Sequence, residues 1–247
     1  MKKYVQEATD INIWTSIKNN TFERNKDIKE FIDGLELIDE SACISLDAKW
    51  GDGKTFFVRQ IEEVLKYVLA NQRADEENPI EKIPSYEYLK DNEMMAKIDL
   101  KHSYLPIYYN AWMYDNHSDP LMSLLLVMTK TCKGVYDTKI DSEKISEKLI
   151  KALSTLPISL GEFKMNPFTV AEKLQVKKVD ILSLVQTEEE IRERVKGIFN
   201  DIIVERAQKL IIFIDELDRC RPSFAIEMLE RIKHYFDDER VIFVVSL

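Results

Sequence analysis

SACISLDAKWGDGKTFFVRQ, residues 41–60, is the stretch from which the fold is read. Alternating apolar residues in Ala42 to Leu46 predict a buried strand. A turn carrying Gly51 and Gly53 follows, and Lys54 and Thr55 open a helix that runs on through FFVRQIEEVLKYVL. This is the layout of a phosphate-binding loop. The two glycines let backbone N–H groups turn inward, the positive end of the helix faces the same point, and Lys54 adds a full charge for phosphate oxygens. Thr55 supplies a hydroxyl suited to Mg²⁺. The pattern G-x-x-x-x-G-K-[ST] asks for glycine where this chain has Ala48, so the segment taken alone also reads as a Lys-Thr pair at an ordinary helix start.

A second segment changes that balance. KLIIFIDELDRCRPSF contains a continuous apolar run, Leu210 to Ile214, which reads as a strand buried on both faces of a parallel sheet. It ends in Asp215 and Glu216, at the edge where open α/β sheets bind ligands. Asp215 can orient Mg²⁺ or its waters, and Glu216 can orient or deprotonate an attacking water. The alternative is an acidic turn after a core strand.

WGDGKT at Trp50 to Thr55, YNAWMYD at Tyr109 to Asp115 and IDELDRCRP at Ile214 to Pro222 together resemble the KAP family of P-loop NTPases. The resemblance covers roughly residues 20 to 247 and departs from the family in two ways. Ala48 replaces the first loop glycine, and the membrane-spanning helices that many members carry between the nucleotide motifs are missing. With it, the expected fold is a three-layer α/β P-loop NTPase with a mostly parallel sheet; residues 133–186 are helical by pattern and read as an insertion, and the length suits one domain over residues 1–247. The resemblance implies ATP and Mg²⁺ as ligands, held by Trp50, Gly51, Asp52, Gly53, Lys54, Thr55 and Phe56, with Thr55 and Asp215 on the metal. Lys54 and Glu216 are the expected catalytic groups. Asp218 is the first alternative to Glu216 and, with Arg219, a supporting or sensing group. Phe22 and Arg24 resemble the segment that lines the adenine pocket in related NTPases, though an ordinary amphipathic helix from Thr21 reads equally well. The implied activity is ATP hydrolysis by an intracellular switch or assembly driver, and one bacterial branch of the family is associated with phage exclusion, an antiviral defence. The alternative is a nucleotide-gated binding module with negligible turnover.

Composition narrows the rest. A chain of 247 residues, 45% hydrophobic, can bury one large core. Net charge of −9 and scattered Lys and Arg give no broad basic face for nucleic acid. Cys43, Cys132 and Cys220 lack CxxC spacing and no signal peptide is read, so a reducing, cytoplasmic setting is expected. His102, His117 and His234 match no metal-ligand spacing, so no metal beyond Mg²⁺ is expected. LMSLLLVM at 121–128 is far shorter than the about twenty residues a membrane span needs, so membrane contact is expected to be peripheral or through a partner. A protein partner or homo-oligomer is expected.

Along the chain, Ile11, Ile13, Trp14 and Ile17 offer an apolar surface, and Phe22, Ile28, Phe31, Ile32 and Leu35 fall near one helical face, with Gly34 and an acidic turn expected to stop the helix. Residues 71–103 read as a polar excursion off the core, disordered or partner-binding. Tyr104 to Tyr109 is a strand ending in Asn110. The Asn110 amide either holds Glu216 away from water until a partner binds or satisfies a turn with Trp112 packed beneath. Asp119 caps a helix to Thr131 with Pro120 first. The lysine-rich EKLQVKKVD belongs to the insertion, and Thr187 with Glu190 forms a capping box. Pro222 opens a helix with Ile226, Leu229, Ile232 and Phe236 inward, and VIFVVSL is another buried strand. That terminal strand at a sheet's centre points to a fragment of a larger protein. The Asp215 strand is expected beside the phosphate-loop strand.

Overall fold

The computed structural model describes residues 7–49, 51–75, 79–117, 119–134, 193, 196–197, 200, 207–235 and 238–247. Trp50, Phe236, the insertion at about 133–186 beyond Gly134 and the Thr187–Glu190 box lie outside them. Contacts divide the chain into two units. The first comprises residues 1–109, 206–217 and 239–247; the second comprises 110–205 and 218–238.

The first unit is built on a four-strand parallel sheet. Its strands are β1 (Ala42–Leu46), β2 (Tyr104–Asn110), β3 (Lys209–Asp215) and β4 (Val241–Ser246), in the order β1-β4-β3-β2. Every residue of β3 and β4 is buried. These two runs carry no polar alternation because both faces are covered. Ile211, Phe213, Ile242 and Val244 face a core shared with three helices, α1 (Asp10–Lys18), α2 (Asn25–Leu35) and α3 (Lys54–Gln72). Helix α1 starts where the Thr9 side chain accepts from the Asn12 amide, and it buries Ile13 and Ile17 completely. Against α3, Trp14 Nε1 donates to Glu63 Oε2 at 2.6 Å and Gln60 Nε2 donates to Ser16 Oγ at 2.8 Å.

Several expectations are corrected. Strand β4 lies between β1 and β3, so the Asp215 strand is not the neighbour of the phosphate-loop strand. Local sequence specifies a strand and not its place in the order. The predicted burial of β1 is only partial: Ala42, Ile44 and Leu46 are half-buried, and Cys43 and Ser45 are exposed. Helix α2 runs through Gly34 instead of stopping before it. Ile11 and Phe22 do not join the core; Phe22 is 88% exposed. Residues 79–103 join the core rather than leaving it: short helical turns, among them α4 (Tyr86–Leu89), pack against α1 and α3, and Leu89, Met94 and Leu100 are buried.

The second unit contains α5 (Ala111–Tyr114), α6 (Pro120–Gly134) and α7 (Pro222–Tyr235). Asp119 Oδ1 caps α6 by accepting from Leu121 N at 2.8 Å, with Pro120 at the first position as predicted. In α7 the buried face is Phe224, Met228 and Ile232, while Ile226 is 58% and Leu229 43% exposed. Both apolar stripes have helical spacing, so periodicity finds the helix but not which stripe faces inward.

Two substitutions should separate the roles of the glycines. Gly34→Ala, with nothing within 4 Å of the new Cβ, is expected to stabilise the fold by ~0.5–1 kcal/mol. Gly53→Ala meets φ of +84° and the Arg24 guanidinium nitrogens at 3.3 Å, and should cost ~1–2 kcal/mol. Denaturant midpoints of the two variants should move in opposite directions.

Burial and a nearby Glu36 raise the pKa of Tyr104, and burial followed by Asp215 raises that of Tyr108. The folded state therefore keeps these phenol protons after the unfolded state begins losing them. Their stabilisation is complete below about pH 10 and falls as pH rises above it, by ~1.4 kcal/mol per pH unit for each tyrosine. Denaturant unfolding at pH 9 and pH 11 should show this slope, and Tyr104→Phe should make it shallower.

Candidate functional site

Between β1 and α3, Gly51 and Gly53 hold φ of +93° and +84°. These are left-handed values that glycine adopts without steric cost. Ala48 is absent from the positive-φ residues, so alanine in place of the first loop glycine imposes no such strain. Asp52 N donates to Lys49 O at 3.1 Å, closing the turn. Lys54, the first residue of α3, folds back so that Nζ donates to Ala48 O at 2.7 Å. Its ammonium thus reaches back across the turn from the start of a 19-residue helix, the end that carries the unpaired amides. Thr55 and Phe56 are half-buried in the first turn, and Phe56 packs against the core.

Arg24 joins this loop from a distant part of the chain. Its Nη2 donates to Asp52 O at 2.7 Å and its Nη1 to Gly53 O at 3.2 Å, while the guanidinium lies 6.0 Å from the Phe57 ring centre. The approach comes through a 3-10 turn, Thr21–Glu23, and its N-cap Asn20, together with Phe22 and Glu23 within it, has positive φ. Three non-glycine residues in that region amount to local strain. The side chain of Arg24 grips loop carbonyls, and Phe22 beside it stands in solvent.

At the end of β3, Asp215 is 1% exposed and accepts from the Tyr108 hydroxyl at 2.9 Å through Oδ2. Glu216 follows with φ of +59°, an uncommon conformation for a side chain of this size. The register connects this end to the loop. Ile214 is level with Val245, and Leu46 is level with Ser246, so the carboxyl ends of β1, β4 and β3 share one edge. Two interstrand spacings put the ends of β1 and β3 roughly 10 Å apart across it. Between them, Ser246 is 1% exposed and its Oγ has no hydrogen-bond partner among the described residues. An orphaned buried hydroxyl is costly unless a ligand or water satisfies it.

These features fit a nucleotide and Mg²⁺. Amides and an ammonium gather at the loop, and one buried carboxylate stands at the end of β3, across β4 from it. Among the described residues no group of three or more His, Cys, Asp and Glu is placed to cage a metal. Mg²⁺ is commonly held by one or two carboxylates with substrate phosphates and water, so this sparse set suits it.

Asn110, Asp218 and Arg219 belong to the second unit. Asn110 Oδ1 accepts from Met113 N at 3.1 Å, capping α5. Trp112 does not pack beneath that turn. It is 55% exposed, with the Arg219 guanidinium 6.0 Å from its ring centre. Asp218 and Arg219 are exposed on the 3-10 turn Leu217–Arg219. Sequence reading does not single out Tyr108 or Ser246. The available signal was a polar group at or near the carboxyl end of an otherwise apolar strand.

A family model described as KAP family P-loop domain matches residues 24–247. No curated protein matches the chain.

Proposed function

This chain belongs to the KAP family of P-loop domains, and from that premise we propose that it binds ATP with Mg²⁺ and hydrolyses it. The observation that carries the reading is Lys54 Nζ on Ala48 O across a loop turned by Gly51 and Gly53, on the sheet edge that also carries Asp215. When nucleotide enters, Lys54 exchanges a carbonyl partner for phosphate oxygens, a charge-assisted and stronger contact. Amides of the loop from Gly51 to Thr55 hold the remaining phosphate charge, and Arg24 keeps the loop carbonyls of Asp52 and Gly53 turned away from it. Thr55 and Asp215 would hold Mg²⁺, which supplies charge neutralisation on the phosphates when bound. Glu216 orients the attacking water and takes its proton.

Strain at Glu216 favours turnover over passive binding, because such conformations persist where the surroundings over-determine them for a task. Family membership alone carries the proposed role as an intracellular switch or assembly driver with a protein partner, and the proposed part in phage exclusion. Among the described residues no helix is long and apolar enough to cross a membrane.

Titration with a fluorescent ATP analogue, followed by phosphate release from ATP, tests the proposal. Saturable binding with Mg²⁺-dependent release is expected. Binding without release would make the chain a nucleotide-gated module, and absence of binding would overturn the reading.

A further inference from the structure

We propose that Tyr108 is a positioning residue for the metal-binding carboxylate, holding Oδ2 of Asp215 so that Oδ1 is presented in one orientation to the cation and its waters. The inference rests on the nucleotide reading above and adds a residue that neither the loop nor the acidic run contains.

The last torsion of an aspartate side chain is soft and roughly two-fold, so a carboxylate at a strand end is not oriented by its backbone alone. Here the backbone is fixed, because all seven residues of β3 are buried. The remaining freedom is removed by the Tyr108 hydroxyl, which donates to Oδ2 at 2.9 Å from β2, the strand beside β3. The donor is neutral. A guanidinium or ammonium in its place would cancel the carboxylate charge and compete with the cation, whereas a phenol orients the group and leaves its charge available.

Tyr108 is itself held from the other side. The Arg59 guanidinium carbon lies 4.7 Å from the centre of its ring. Arg59 is pinned by the buried Glu62, with which it is paired, and by Asp10 Oδ1 of α1 at 2.7 Å. The Asp10 carboxylate is more than half exposed, so that link is the weaker of the two. Arg59 sits on α3, the helix that Lys54 begins. One helix therefore carries both the phosphate-facing lysine and, through Tyr108, the restraint on the metal ligand. A shift of α3 on nucleotide entry would be transmitted to Asp215 by two direct contacts.

The test is Tyr108→Phe, which keeps the ring and its contact with Arg59 and removes only the hydroxyl. Affinity for a fluorescent ATP analogue is measured in EDTA and across a Mg²⁺ titration. Unchanged affinity in EDTA with a rise of about 10–100-fold in the Mg²⁺ half-saturation point is expected, the size typical of losing a hydrogen bond to a metal ligand. Arg59→Met, which loosens the ring without touching the hydroxyl, should raise the same point about two- to fivefold, and it stands in if Tyr108→Phe does not fold. Equal half-saturation in unaltered protein and both variants overturns the positioning role. Equal losses in EDTA and in Mg²⁺ also overturn it, since they mark a general disturbance of the fold. Unaltered protein that binds nucleotide but ignores Mg²⁺ overturns the metal role of Asp215, whereas unaltered protein that binds no nucleotide overturns the proposed function itself.

Discussion

Lys54→Ala is expected to raise the dissociation constant for ATP roughly 10- to 150-fold while leaving the thermal transition in place. Hydrogen bonds to charged groups contribute ~1.5–3 kcal/mol each, and that is the range the fold-change expresses. The internal bond lost is one solvent-exposed contact, Nζ to Ala48 O at 2.7 Å, so the fold should tolerate the change. Alanine at the first position of α3 also suits the helix. Parallel titrations of both proteins with a fluorescent ATP analogue check this, and equal affinities would sink the loop assignment.

Glu216→Gln should leave ATP binding near its original strength and lower hydrolysis by about 10²-fold or more. Glutamine keeps the length and hydrogen-bonding shape of the side chain but cannot take a proton. The φ of +59° is a backbone property set by neighbouring structure, and glutamine meets it with no more steric difficulty than glutamate. Phosphate release at saturating ATP, measured beside the binding titration, separates the two effects. Normal turnover in Glu216→Gln would move the catalytic role to another acid, with Asp218 the first to test.

Both experiments act on residues that the sequence exposes, and the reason is local. A glycine turn followed by Lys-Thr specifies its own backbone, and an apolar run ending in two acids specifies a buried strand and where it stops. The same holds for Asp119 and Pro120, whose roles as cap and first helical residue depend only on the following turn.

Residues whose roles depend on distant partners were less legible. Arg24 reaches the carbonyls of Asp52 and Gly53 across nearly thirty positions, through three positive-φ residues that no composition rule anticipates. Tyr108 looks like one more strand aromatic until β2 is placed beside β3, when its hydroxyl meets Asp215. In α7, Ile226 and Leu229 compete with Phe224, Met228 and Ile232 for the inward face, and only packing chooses between stripes of the same period.

By itself, then, the sequence determined the elements and which residues stand at their ends: the glycine turn that leads into Lys54 and Thr55, the strand ending at Asp215, and the parallel α/β class that joins them. Tertiary structure alone decided that β4 lies between β1 and β3, leaving Ser246 Oγ between the loop and Asp215, and that Tyr108 holds the aspartate. Strand order and register are set by how buried faces fit together across long separations in the chain. Capping, glycine conformation and apolar periodicity act over a few residues and cannot encode that fit.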